Sequence, residues 1–258
     1  MKDAATSLGI GLAFVVVILA NVLEGGNPTA LLLLPPLLLV FGTTVLVTIA
    51  GGTMADAKQA VVSLKTAFLG GPQSCAEVVP TVVGLAERAR REGLLSLEDS
   101  VRELDDEFLA KGVTLAIDGT DPDEVREILE AEVSAAKKAH KQSAKFYADA
   151  GAYAPTIGII GTVMGLVHVL ENLSDPEQLG HLIAAAFVAT LWGVTSANVL
   201  FLPIGNRLKR LGELETTRME LIVEGVAAIQ SGANPRVIAQ KLGSLVPASE
   251  QAPALDAA

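Results

Sequence analysis

Four stretches of the chain are almost entirely apolar: roughly Ala4–Leu23, Ala30–Ala55, Ala150–Leu170 and Leu182–Gly205. About 20 mostly apolar helical residues cross a hydrocarbon core of ~30 Å, so each stretch predicts a membrane-spanning helix. The first, second and fourth contain no Asp, Glu, Lys, Arg or His, and the third contains only His168. Between and after these runs the apolar positions recur at helical spacing. Val78, Val82, Leu85 and Ala89 do so within Cys75–Arg91, and Val125, Ile128, Leu129 and Val133 do so further on. The pattern predicts an all-α fold: a polytopic membrane protein with four transmembrane helices and a helical cytoplasmic domain. The expected divisions are 1–55 (spans one and two), 56–149 (cytoplasmic helices), 150–205 (spans three and four), 206–245 (a helical stalk) and 246–258, a Pro/Ala-rich tail expected to be disordered.

Local signals place the element ends. Glu24-Gly25-Gly26-Asn27-Pro28-Thr29 supplies the glycines and proline that close one helix and open the next, so spans one and two form a tight hairpin. Pro35-Pro36 predicts a kink within span two, tolerated where neighbours satisfy the freed carbonyls. Gly93 closes the helix that starts near Cys75. Ser96, with an acid three residues on at Asp99, predicts a helix over Leu97–Lys111. Asp121-Pro122-Asp123-Glu124 starts another, with Asp as cap, Pro in the first turn and acids where the helix dipole favours them. That helix has no evident stop before Gly151, and 206–231 is equally free of proline, so two stalks are expected to run down from spans three and four and pack together.

Charge then orients the spans. The connections Glu24–Thr29 and Glu171–His181 hold no Lys or Arg; all 19 cationic residues lie in Lys2, in 56–149 or beyond Asn206. The positive-inside tendency puts both termini and the long segment in the cytoplasm. The net charge of -10 belongs to those cytoplasmic parts and reports their solubility, with no basic patch for nucleic acid. Cys75 is the sole cysteine, which excludes an intrachain disulfide and a cysteine zinc site. Leu8–Ala20 imitates the apolar part of a signal peptide, yet the run continues to Leu23 without an A-x-A site, so a first spanning helix is the better reading.

Spans three and four each carry a face of small residues that lets another backbone come close. Span three offers Gly151, Gly158, Thr162 and Gly165, with Ala154 and Pro155; span four offers Ala186, Thr190, Gly193 and Ala197. Two readings fit: plain helix packing, with each threonine bonded to its own helix, or the wall of a pore. Gly158-x-x-Gly161 followed by Gly165 sits inside a lipid-length run, so it is a packing pattern rather than a phosphate cradle. No ionisable group lies at mid-depth, and His168 is near the outer end of its span. If the protein moves protons or sodium, the acid that carries them comes from another subunit. His140, His168 and His181 lack metal-ligand spacing, there is no Walker loop, and no catalytic set is present, so the chain does not read as an enzyme, and no cofactor is implied.

The run Gly151-Ala152-Tyr153-Ala154-Pro155-Thr156-Ile157-Gly158-Ile159-Ile160-Gly161-Thr162-Val163-Met164-Gly165-Leu166 closely resembles the third-span signature of the MotA/PomA flagellar stator family. Arg90-Arg91-Glu92-Gly93-Leu94-Leu95-Ser96-Leu97-Glu98, Thr190-Leu191-Trp192-Gly193, Pro203 and Asn234-Pro235-Arg236-Val237-Ile238 extend the resemblance over most of the chain. It implies a bacterial inner-membrane ring of these subunits, in the family a pentamer, around the paired helices of a MotB- or PomB-like partner whose aspartate carries the ion. It also implies that Thr162 and Thr190 line the conducting interface, that Pro155 and Pro203 couple ion passage to motion, and that Arg90 and Glu98 engage the rotor protein FliG. Taken without the resemblance, Arg90 and Glu98 read as ordinary surface charges. Ala189 stands before Thr190 where sodium-type members tend to carry a second threonine; one oxygen fewer for a dehydrated sodium points to protons. The more distant ExbB/TolQ transducers share the ion-driven principle, usually with three spans. They leave an alternative, an energy-transducing channel subunit working an outer-membrane system, and a passive membrane scaffold is a third reading.

Overall fold

The computed structural model describes residues 4–71, 74–247 and 250. Lys2, and most of the tail expected to be disordered, lie outside them. Among the described residues the fold is helical throughout, with no strand. In order it comprises α1 (Ala5–Leu23), a 3-10 turn (Pro28–Leu31), α2 (Leu34–Leu37), a π turn (Leu38–Gly42), α3 (Thr43–Ala50), α4 (Met54–Leu69) and α5 (Cys75–Glu92). A 3-10 turn (Leu94–Leu97), α6 (Glu98–Arg102), α7 (Glu107–Ile117), α8 (Pro122–Glu171) and α9 (Pro176–Thr195) follow, then a π turn (Ser196–Phe201), α10 (Leu202–Gln230) and α11 (Pro235–Leu245). The described residues of 2–71 and 140–210 form one compact unit, and those of 72–139 and 211–258 the other.

The first unit holds all four apolar stretches, and among the described residues three helices are long and apolar enough to cross a membrane: α1, α8, and the continuous run Pro176–Gln230. The fourth apolar helix, Leu34–Ala50, is shorter than the stretch expected at Ala30–Ala55. The reason is Pro35-Pro36. The prolines do not kink a long helix; they stand in its first turn, where a missing N–H costs no hydrogen bond, and the residues before them fold into the 3-10 turn capped by the Asn27 side chain on the Thr29 N–H. At its other end the helix stops at Gly51, and Thr53 opens α4 through a reciprocal capping box with Asp56. That box holds the Asp56 carboxyl below its ordinary pKa through hydrogen bonds from the Thr53 side chain and backbone. Gly151 does not end the helix that enters span three: α8 runs through it, and the Gly151 backbone lies against the Leu202 side chain. The core of this unit is built largely from small residues, Ala60, Ala67, Ala144, Ala150, Ala154 and Ala197, with Tyr147, Phe201, Ile204 and Leu208 filling the gaps. The Tyr147 hydroxyl donates to the Ala60 carbonyl at 2.7 Å.

The second unit has an ordinary aliphatic core in which Leu97, Leu109, Leu129, Leu221, Ile222, Ile229, Ile238 and Leu242 are fully buried. Each such side chain contributes about 1.5–3 kcal/mol of hydrophobic stabilisation. Gly93 closes α5 at φ 85°, a backbone conformation that a side chain disfavours. The single helix expected over Leu97–Lys111 is broken. Ser96 bonds back to the Gly93 carbonyl, and Asp106 caps α7 by accepting from the Phe108 and Leu109 N–H groups while its other oxygen meets Arg218. Ser74 gives α5 no side-chain cap of its own; Glu250 supplies it, accepting from the Cys75 N–H at 2.6 Å and from the Ser74 hydroxyl at 3.0 Å. Within this unit α8 and α10 pack side by side, with Arg126 donating to Glu224 at 2.8 Å across the pair. That bond and one from Lys241 pull the Glu224 carboxyl down to about 2.

Candidate functional site

α8 and α9 meet backbone to backbone where their small-residue faces cross. A Cβ added to Gly193 would lie 2.9 Å from the Gly158 Cα and 2.7 Å from the Ala154 carbonyl oxygen. One added to Gly165 would meet Ala186, and one added to Gly161 would meet the buried Ala189 and Leu39. This closeness brings together two threonines that stand 28 residues apart in the chain. The Thr162 and Thr190 hydroxyls contact each other. Thr162 Oγ1 also lies 3.0 Å from the Ala186 carbonyl and 3.2 Å from that of Gly158, and Thr190 Oγ1 lies 3.3 Å from the Gly158 carbonyl.

Each threonine lies within hydrogen-bond reach of backbone carbonyls, as close helix packing requires, and the pair also bridges the two helices. Two hydroxyls hold two protons and four lone pairs. When one donates to the other and the second donates to a carbonyl, three lone pairs stay free. Both residues are half-buried, so the pair has an open side from which it can accept an O–H or reorient to donate to a carboxylate. No charged side chain stands beside it in either spanning sequence.

Proline shapes the flanks. Pro203, the second residue of α10, has no N–H and its ring crowds the carbonyl four residues back, within the wide π turn Ser196–Phe201. Buried Ser196 donates to the Gly193 carbonyl at 3.2 Å inside that turn. Pro155 lies within α8, half-buried, next to Ala154, whose carbonyl faces Gly193. Sequence reasoning missed the two π turns, and it missed Trp192, whose indole N–H donates to the Leu31 carbonyl at 2.7 Å and whose ring lies between Phe14 and Phe41. The only signal for the indole was its polar edge within an apolar run, where a buried N–H has to find an acceptor.

The remaining candidates stand elsewhere. Arg90 is exposed in the last turn of α5, and Glu98, exposed at the start of α6, pairs with Arg102 at 3.1 Å; Gly93 lies between them in sequence. His168 is an exposed neighbour of Glu171 at 3.3 Å. Among the described residues no group of three or more His, Cys, Asp or Glu side chains is placed to hold a metal.

Comparison with known proteins gives a consistent result. The family model described as the MotA/TolQ/ExbB proton channel family matches residues 100–221. Motility protein A of Bacillus subtilis (strain 168) is 36% identical over 250 residues, covering 96% of this chain and 93% of that protein. Chemotaxis protein PomA of Vibrio alginolyticus is 36% identical over 236 residues, 92% of each chain. Among solved structures, C. jejuni MotAB superposes with a TM-score of 0.91 at 32% identity, covering 95% of this chain and 96% of that one. The flagellar MotAB stator complex from Bacillus subtilis does so with a TM-score of 0.88 at 36% identity, covering 95% and 97%.

Proposed function

The chain belongs to the MotA/TolQ/ExbB proton channel family, and from that premise we propose how its parts divide the work of an ion-driven motor. It is a stator subunit of the bacterial flagellar motor, a membrane protein that assembles with a MotB-like partner. Relatives that align over nearly its whole length are motility proteins, which sets this reading ahead of an ExbB/TolQ-like transducer. Four helices span the inner membrane, the shorter Leu34–Ala50 among them, with both termini and the 56–149 segment in the cytoplasm. Five copies surround the partner's membrane helices.

The observation that carries the mechanism is the threonine pair in surroundings without charge. An ion path through lipid needs an ionisable carrier, and the spans of this chain provide none at mid-depth. The partner's aspartate fills that role. Ionised, it is held by O–H donation from Thr162 and Thr190; protonated, it becomes a donor, loses most of its electrostatic hold and is free to leave the pocket. The ring then advances by one position. Ala189, buried beside Gly161, adds no oxygen, so protons are the ion. Pro155 and Pro203 loosen α8 and α10 where each lacks a hydrogen bond, which lets the helices bend as the pocket empties. Arg90 and Glu98 carry the resulting motion to FliG. Thr190→Val removes one hydroxyl at nearly constant volume, and swimming speed in a strain carrying only this stator is expected to fall severalfold while membrane levels stay unchanged. Undiminished swimming would take Thr190 out of the ion path.

A further inference from the structure

The outer face of α4 has no role in the ion path. Met54, Val61, Val62 and Leu69 stand there at helical spacing, and Val61 and Val62 are 69% and 64% exposed, although valine on a water-facing helix brings no benefit. Lys58 and Lys65 lie on the same stripe, both exposed. The helix has one acid, Asp56, which is occupied in the Thr53 capping box, so both charges on the exposed stripe are positive. The opposite face, Ala60, Ser63 and Ala67, is buried, and the Ala60 carbonyl accepts from Tyr147 of α8.

Both ends of α4 are tied to ends of membrane helices. Its first residue follows Ala50, the last residue of α3, by only four positions, a reach of at most ~14 Å. Near its other end the Phe68 carbonyl accepts from the hydroxyl of Ser7, in the first turn of α1, at 3.4 Å. A helix pinned in this way runs along the membrane surface. Aliphatic side chains mixed with lysines, whose apolar stems lie down while their ammonium groups reach the headgroups, fit that position.

We propose that the Met54–Lys58–Val61–Val62–Lys65–Leu69 face of α4 is a lipid-binding surface selective for the anionic headgroups of the cytoplasmic leaflet. The partner is phosphatidylglycerol or another anionic phospholipid, with Lys58 and Lys65 on its phosphates and the four aliphatic side chains at the acyl boundary. The inference rests on the membrane placement proposed above, and that placement is read separately by whether the chain stays with vesicles after an alkaline wash.

The test titrates phosphatidylglycerol and phosphatidylcholine in turn into the purified full chain and counts bound lipid by native mass spectrometry. Two lysines beside anionic headgroups give roughly 30-fold tighter phosphatidylglycerol binding, which Lys58→Gln with Lys65→Gln abolishes while phosphatidylcholine binding and the thermal midpoint in phosphatidylcholine stay as they were. Lys111→Gln, a cation of the other unit, leaves binding unchanged. Phosphatidylglycerol binding that survives the double substitution overturns the proposal. So does efficient Val62→Cys crosslinking between copies, measured against the parent chain whose only thiol, Cys75, is buried, because the face then belongs to a neighbouring subunit. Loss of the chain from washed vesicles would instead defeat the membrane placement itself.

Discussion

Gly158→Ala is the smallest change that tests the crossing of α8 and α9. A Cβ on Gly158 would sit 2.9 Å from the Ala189 carbonyl oxygen, 3.1 Å from the Gly193 Cα and 3.2 Å from the Thr190 Cα. All three are backbone atoms, so no rotamer change relieves the contact and the helices have to separate by several tenths of an ångström. Overpacking of this kind costs about 1–3 kcal/mol. Alanine's better helix propensity offsets up to ~1 kcal/mol of that. The net loss against the parent chain is therefore about 0–2 kcal/mol, and against a glycine-to-alanine control that gains the same propensity without the contact it is the full cost of about 1–3 kcal/mol. Separation also pulls Thr190 away from the Gly158 carbonyl and from Thr162, so function falls further than stability does. Gly9→Ala is the control, because nothing lies within 4 Å of a Cβ added there in α1. Thermal unfolding of the purified chain in one detergent compares the two variants, and swimming speed reads the site. Should Gly158→Ala unfold no earlier than Gly9→Ala, the close backbone approach inferred for α8 and α9 is wrong.

Two further predictions concern the other unit. Asp106→Ala removes the α7 cap and leaves the largely buried Arg218 facing Glu215, at 3.7 Å, as its remaining acid among the described residues, and is expected to cost roughly 2–4 kcal/mol, read as a lowered unfolding midpoint. For Glu224, the folded carboxyl titrates at about 2 against an ordinary 4.5, so its stabilisation is fully present above about pH 4.5 and is lost as pH falls through about 2. Glu224→Gln should lower stability at neutral pH by about 1 kcal/mol, given its solvent-exposed partners, and the gap from the parent chain should close in acid; a gap independent of pH would contradict the ion-pair assignment.

Features that local chemistry decides are legible in the sequence. Gly93 and Asp121-Pro122 mark ends whose causes lie within a few residues, and the small faces of spans three and four follow from residue type and spacing alone. The break at 103–106 was not legible, because the partner that holds Asp106 is Arg218, 112 positions away. The cap of α5 likewise comes from Glu250, 175 positions from the Cys75 N–H it accepts. Pro35-Pro36 mark an apolar helix but not their own register within it, since a proline pair fits a first turn as readily as a tolerated kink. Residue type and spacing mark each threonine singly. Their hydroxyl contact depends on how α8 and α9 cross, which periodicity does not encode.

On the proposed mechanism the threonine pair passes protons only with a carboxylate from outside the chain. Proton uptake into vesicles carrying the chain with the proposed MotB-like partner measures this, beside vesicles with that partner's membrane aspartate changed to asparagine and vesicles with the chain alone. Uptake in the first preparation and background in the other two is the predicted result. Equal uptake by the chain alone would contradict the account.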